Sequence, residues 1–496
     1  MVRPRDGWLL LTLALSAPGL PRAQEAEPAP VEWLAREGAG ILPLGEENAL
    51  LIQEISGTVE LRTDPREELR WSSASSRGSK QLPLEVGTSE KGLVLRAPEG
   101  DTAPRRVVVS VPARIAVQVE SAGTQVVGDS VQSDLVLRGP GLDVRLSTQA
   151  GAIEIDGQDG NVLLDRPKGR VLLRGRPLTA RVLQAAGPVT VQVSGGAVEV
   201  QDAAAGLDVD AQGAKLALVH VQGPVRVHVR DGEVRAEDLP GGGDFELEHT
   251  PLRLDGGAGE VTVSSDALVE FHGSKAAVHV HGMGAPVKGS DHHGLVEIET
   301  DSAEVVLAKI DGPLRIRGNS LELRLDQTAD TGLITSSSSI HVNHVDGPLA
   351  IENELGNVDV EGATDKVEVK NRDGNVTLRG LSGPVVVETT SERLTVGWAS
   401  LPQDAAVESV LVNQDGVVHA ELPPSGAILV EAESRYGRVE STLSWVRVAD
   451  DAKSAKGMVG RGNVPRLRIV GDGGVVLGGP GSGGTPAGEE ADGGER

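Results

Sequence analysis

The feature that most constrains this chain is a recurrence of apolar–any–apolar triplets every nine residues. From Val189 they run Val189-Thr190-Val191, Val198-Glu199-Val200, Leu207-Asp208-Val209, Leu216-Ala217-Leu218, Val225-Arg226-Val227 and Val234-Arg235-Ala236. The register extends back through Val171, Val162, Ile153, Val144 and Leu135. It resumes at Val278, Val287, Val296, Val305, Leu314 and Leu323, and again from Ile340 to Leu394. Alternation within a triplet is the strand period of two, with the outer residues facing in and the middle one facing out. Middle residues such as Arg145, Glu154, Glu199, Arg226 and Glu368 are polar, and Gly, Asp, Asn and Pro fill the intervals as turn formers. A three-residue strand cannot bury its inner face alone. Stacking successive turns of the chain buries it continuously.

Turn types decide how many strands make one coil. Gly-Pro pairs at Gly187, Gly223, Gly312, Gly347 and Gly383 are spaced by 36, 89, 35 and 36 residues. Two one-residue slips explain the odd values: Val261 to Val269 is eight, and Leu323 to Ile340 is seventeen. With the slips restored the spacings are 36, 90, 36 and 36, all multiples of eighteen. Gly-Asn-Val turns agree, since Gly356 to Gly374 is 18 and Gly160 to Gly356 is 196, two short of 198. The chain therefore reads as all-β: a single-chain parallel β-solenoid (β-helix) with coils of about eighteen residues, each built from two nine-residue strand–turn units. At about 4.8 Å per coil, the about fourteen coils from Leu135 to Val396 predict a rod roughly 70 Å long.

The flanks are less regular. Residues 50–134 read as an N-terminal cap of irregular coils, 135–400 as the regular solenoid, and 401–477 as a C-terminal cap. Trp33, Trp71, Tyr436 and Trp445 lie in the flanks and Trp398 just past the last regular triplet at Leu394–Val396, as capping an open solenoid requires. Residues 1–23 read as a secretory signal: Arg3 and Arg5 precede an apolar run from Trp8 to Ala17, and cleavage is expected after Ala23. Residues 24–49 read as a linker and 478–496 as a disordered tail. No later stretch is apolar enough for a transmembrane segment.

A core with 2% aromatic residues must be thin and filled by small branched side chains. The formal charge of −25 argues against nucleic acid as a partner, because phosphate binding needs clustered Lys and Arg. With no cysteine, thiol catalysis and Cys-ligated metal are excluded.

An exported N-terminus, the segments "ISGTVELRTDPREELRWSS" and "RRVVVSVPARIAVQVESAGTQVVGD", serial GxVxV units and a closing "VPRLRIVGDGGVVLGG" occur together. In this combination the chain resembles the bacterial adhesin-like β-strand-repeat domain of unknown function, over roughly residues 50–477. The resemblance implies a single-chain β-helix outside the cytoplasm, in the periplasm or at the cell surface, and supplies no catalytic residues.

Three functional classes are compatible with an exported β-solenoid. A calcium-binding β-roll needs Asp two places before the apolar residue in turn after turn. Here the turns read "EGATDK", "NRDGN" and "GLSGP", with Asp at shifting positions. A β-helix lyase or hydrolase needs grouped carboxylates, and sugar binding favours exposed aromatic platforms. The acidic residues are scattered, and Phe245 and Phe271 fall at inward positions. The favoured expectation is a non-catalytic exported scaffold without a cofactor, binding protein or glycan on a lateral face. One local cluster stands out: His272, His279, His281, His292 and His293. His279 faces outward, and His281 stacks one coil from Glu299, so His279, His281 and Glu299 are candidate metal ligands. The alternative is a polar surface patch.

Overall fold

The computed structural model of the chain describes residues 31–90 and 92–481. The expected signal segment, and the expected tail from residue 482 onward, lie outside the described residues. Among the described residues every regular element is a strand, and the 48 strands fall into a 25-stranded and a 23-stranded sheet. From Arg105–Val111 to Val446–Val448 successive strands go to opposite sheets, so each coil there gives one strand to each. In the first sheet Leu135, Ile153, Val171, Val189, Leu207 and Val225 stand in register, each eighteen residues from the last. In the second, Val144, Val162, Ala180, Val198, Leu216 and Val234 do the same. The inward residues of both sheets are buried against each other and form one continuous core.

The slips are real and local. Leu252 pairs with Val269, Val261 with Val278, Leu314 with Thr331, and Leu323 with Ile340, each a step of seventeen. The second slip hides a strand that the triplet pattern passed over, Thr331–Ser336, because a threonine takes its first inward position. The Thr331 hydroxyl is satisfied in the core by Thr328 Oγ1 at 3.0 Å and the Ala329 carbonyl at 2.8 Å. The Gly-Pro pairs at Gly187, Gly223, Gly312, Gly347 and Gly383 all precede strands of the first sheet, and the Gly-Asn turns at Gly160, Gly356 and Gly374 lead into strands of the second.

Backbone geometry fixes the eighteen-residue period at one edge. Ser130, Thr148, Arg166, Gln184, Asp202, His220 and Asp238 all adopt φ between 49° and 57°. A left-handed non-glycine residue costs roughly 1–2 kcal/mol. Here each such residue donates its N–H to the carbonyl that precedes its counterpart one coil on, as in Thr148 N to Asp165 O at 2.8 Å. Satisfying that donor along the whole edge offsets the strain.

Both ends depart from sequence order. Near the N-terminus, strand Ala49–Gln53 is inserted between Gly92–Arg96 and Ala116–Glu120. Strand Gly57–Thr63 likewise sits between Arg105–Val111 and Gln125–Asp129. Near the C-terminus, Arg466–Gly471 sits between Glu408–Asn413 and Ile428–Glu433. Gly474–Gly478 sits between Val417–Glu421 and Val439–Ser441. Outside these coils the strands turn antiparallel, as in Glu32–Glu37 on Leu84–Ser89 and Ser454–Val459 on Ile428–Glu433.

The expected linker, residues 24–49, is corrected by this arrangement. Its described part carries strands Glu32–Glu37 and Ala39–Pro43, and Ala49 begins a third. Gly40, within that segment, serves close packing, since it lies directly under the Trp71 ring. Likewise Gly478, the expected start of the tail, ends the last strand.

Candidate functional site

The histidine-rich coils bring chemistry-bearing residues closest together. Their strands divide the five histidines among the two sheet faces, a turn and the core. His279 and His281 face outward on the first sheet, from strand Val278–Met283. His272 lies on the second sheet with Nδ1 2.9 Å from Ser290 Oγ, and His293 lies beyond the end of a strand, 2.7 Å from Asp311. His292, by contrast, is fully buried in the core.

His279 sits between two carboxylates, with Nδ1 2.9 Å from Glu297 and Nε2 3.3 Å from Glu260. His281 Nδ1 is 3.2 Å from Glu299, which also lies 3.9 Å from Arg317. The three metal candidates therefore share one sheet face, but they are organised as His–carboxylate pairs. Zinc sites use three or four protein ligands. Among the described residues no group of three or more His, Asp or Glu side chains is arranged to hold a metal ion.

The pairing extends along the rod. His220–Asp238, His228–Glu246, His279–Glu297, His281–Glu299, His293–Asp311 and His341–Asp359 each join Nδ1 to a carboxylate eighteen residues on. Residues i and i+18 are neighbours on a ladder, so an acid eighteen residues after a histidine was a signal available in the sequence. Sequence reasoning used it only for His281 and Glu299.

The sheet faces hold several shallow recesses that sequence reasoning missed, two of them floored by small side chains. On the first sheet, Gly332 and Ala350 occupy outward positions between Arg315 and Glu368. The small side chains leave a depression of about 460 Å³, bordered by the half-exposed Ile334. Arg315 folds beside Gly332 to reach Asp330 at 2.7 Å. On the second sheet, Thr179, Ala197 and Ala217 lie among Arg145, Arg181 and Arg235 in a depression of about 700 Å³. The outward cations there are paired, as Arg181 with Glu199 at 3.0 Å and Lys215 with Glu233 at 3.2 Å.

The core also carries a polar ladder. Thr335 donates to Asn353 at 2.9 Å, and Asn353 donates to Asn371 at 3.0 Å, all three buried. Their amides also reach backbone carbonyls, including Leu355 and Asp373. Such a column satisfies its polar groups internally and pins the register of neighbouring coils.

Among the described residues, no helix is long and apolar enough to cross a membrane. Comparison with models of protein families, with curated proteins and with solved structures yields no match.

Proposed function

We propose that this protein is an exported, non-catalytic envelope scaffold of adhesin-like character, which binds a protein or glycan partner along its lateral sheet faces. The observation that carries this reading is the contrast between ends and sides. Antiparallel strands and inserted coils occupy both ends, while the two sheet faces run between them without interruption. A capped rod presents its sides, and the recesses at Gly332–Ala350 and Thr179–Ala217 give those sides relief. The basic start, the apolar run and Ala23 support export to the periplasm or the cell surface.

Cell fractionation with surface proteolysis, combined with mass spectrometry of the N-terminus, tests the placement. Recovery outside the cytoplasm with a chain beginning near Gln24 is expected. Recovery only in the cytoplasm with Met1 intact overturns it. A polysaccharide panel tests the non-catalytic half. Reducing ends or unsaturated products, lost when a single acidic residue is neutralised, would show an enzyme instead.

A further inference from the structure

We propose that the coil bearing His292 is an acid-triggered opening point in the rod: a protonated His292 has no counter-charge in the core, and the coils around it separate to hydrate it. His292 ends strand Val287–His292 and has no exposed surface. Neither ring nitrogen meets a hydrogen-bond partner. The ring instead packs edge-on to Phe271, with centroids 5.5 Å apart and planes at 79°, and its ladder neighbour is the buried Ile310. A neutral imidazole fits there at the cost of its unmade hydrogen bonds, but an imidazolium does not.

The surrounding charges cannot compensate from where they stand. Glu270 and His272 lie on the strand one coil before, and Lys288 and Asp291 on its own strand. Glu304 and Lys309 lie on the strand one coil after, and Lys275, His293 and Asp311 in adjoining turns. On the facing sheet stand His279, His281, Glu297 and Glu299. All are exposed or partly exposed, and no Asp or Glu is buried among the described residues.

Local construction favours opening here over the longer-stranded regular coils on either side. Strands Leu252–Asp255 and Val269–His272 have only four residues each, so the ladder next to His292 is short. Seventeen-residue steps also fall in this stretch. Short ladders open at lower free energy than long ones.

The sign follows from proton linkage. Burial is the main cause holding His292 below its ordinary pKa of 6.5; the backbone of Leu295 and Ala276, close to the ring but outside normal hydrogen-bond geometry, pulls weakly the other way, and the nearby His293 adds a push downward. The open form, with an ordinary pKa, binds a proton that the closed form refuses. The closed form is therefore fully stable above pH 6.5 and loses stability as pH falls from there toward the depressed value. In that window the opening equilibrium grows about tenfold per pH unit.

Amide hydrogen exchange of the full chain at pH 7.5 and pH 5, corrected for the intrinsic rate, tests the proposal. Peptides within 269–310 should lose protection about tenfold or more relative to peptides within 189–227. His292→Leu and His292→Phe should abolish that acid-specific loss. His419→Gln should not, although His419 is also held low, first by burial and then by Arg393. Equal acid responses in the two regions of the native chain overturn the proposal. So does an acid response that persists in either His292 variant. Should both variants unfold at pH 7.5, the regional profile of the native chain decides alone.

Discussion

The Phe271 ring fills the space in which a side chain at residue 289 would stand. The two residues are ladder neighbours, and a Cβ built on Gly289 would lie 2.2 Å from the ring tip. Gly289 occupies an inward position where most coils carry Val or Leu, so one coil's large residue is balanced by the next coil's smallest. Volume is conserved over the pair rather than at each position.

Gly289→Ala should therefore destabilise the rod by about 1–3 kcal/mol through overpacking. Phe271→Leu alone should also destabilise, by leaving a cavity. In the double variant the losses should not add, with a coupling of about 0.5–3 kcal/mol. Chemical denaturation of the four proteins measures this, and strict additivity would show that the ring and the glycine do not share one space.

Val367→Asp should be far more damaging than Glu368→Lys. Val367 is fully buried, and an unpaired carboxylate there costs several kcal/mol. Glu368 faces outward, pairs with Lys366 at 2.9 Å, and is held below its ordinary pKa chiefly by that hydrogen bond. Loss of such a surface pair costs roughly 0.2–1 kcal/mol. Similar drops in thermal stability for the two variants would contradict the register.

Deleting residues 466–481 should convert a closed end into an open one. The strands Arg466–Gly471 and Gly474–Gly478 bridge pairs of strands that are otherwise unjoined, so their loss exposes backbone edges on both sheets. Light scattering and size-exclusion chromatography should show an increase in aggregated material. Unchanged behaviour would mean that the neighbouring coils close the gap themselves.

Excess chelator should leave the β circular-dichroism spectrum intact. Stability rests on the stacked Val, Leu and Ile core and on strand ladders, and the Asp-bearing turns lack the spacing of a calcium roll. Collapse of the spectrum, restored by added calcium, would overturn this.

The regular coils were legible because a nine-residue period forces each triplet to alternate in and out, and turn residues mark the side on which they lie. Val367 and Glu368 could be assigned opposite faces, and His281 placed beside Glu299, from spacing alone. The Thr331–Ser336 strand was missed because a hydroxyl replaced the apolar signal, and the other His–carboxylate pairs because a partner eighteen residues away is outside any local motif. Local sequence also misread Gly40 and its neighbours as linker, since nothing near them in the chain announces the Trp71 ring that they receive. Only the tertiary structure decided the order of coils at the ends, the isolation of His292 in the core and the pairing of Phe271 with Gly289. Periodicity determines which face a side chain takes, because that follows from one strand's geometry. Which coil lies beside which, and what fills the space between them, depends on chain segments brought together only by folding.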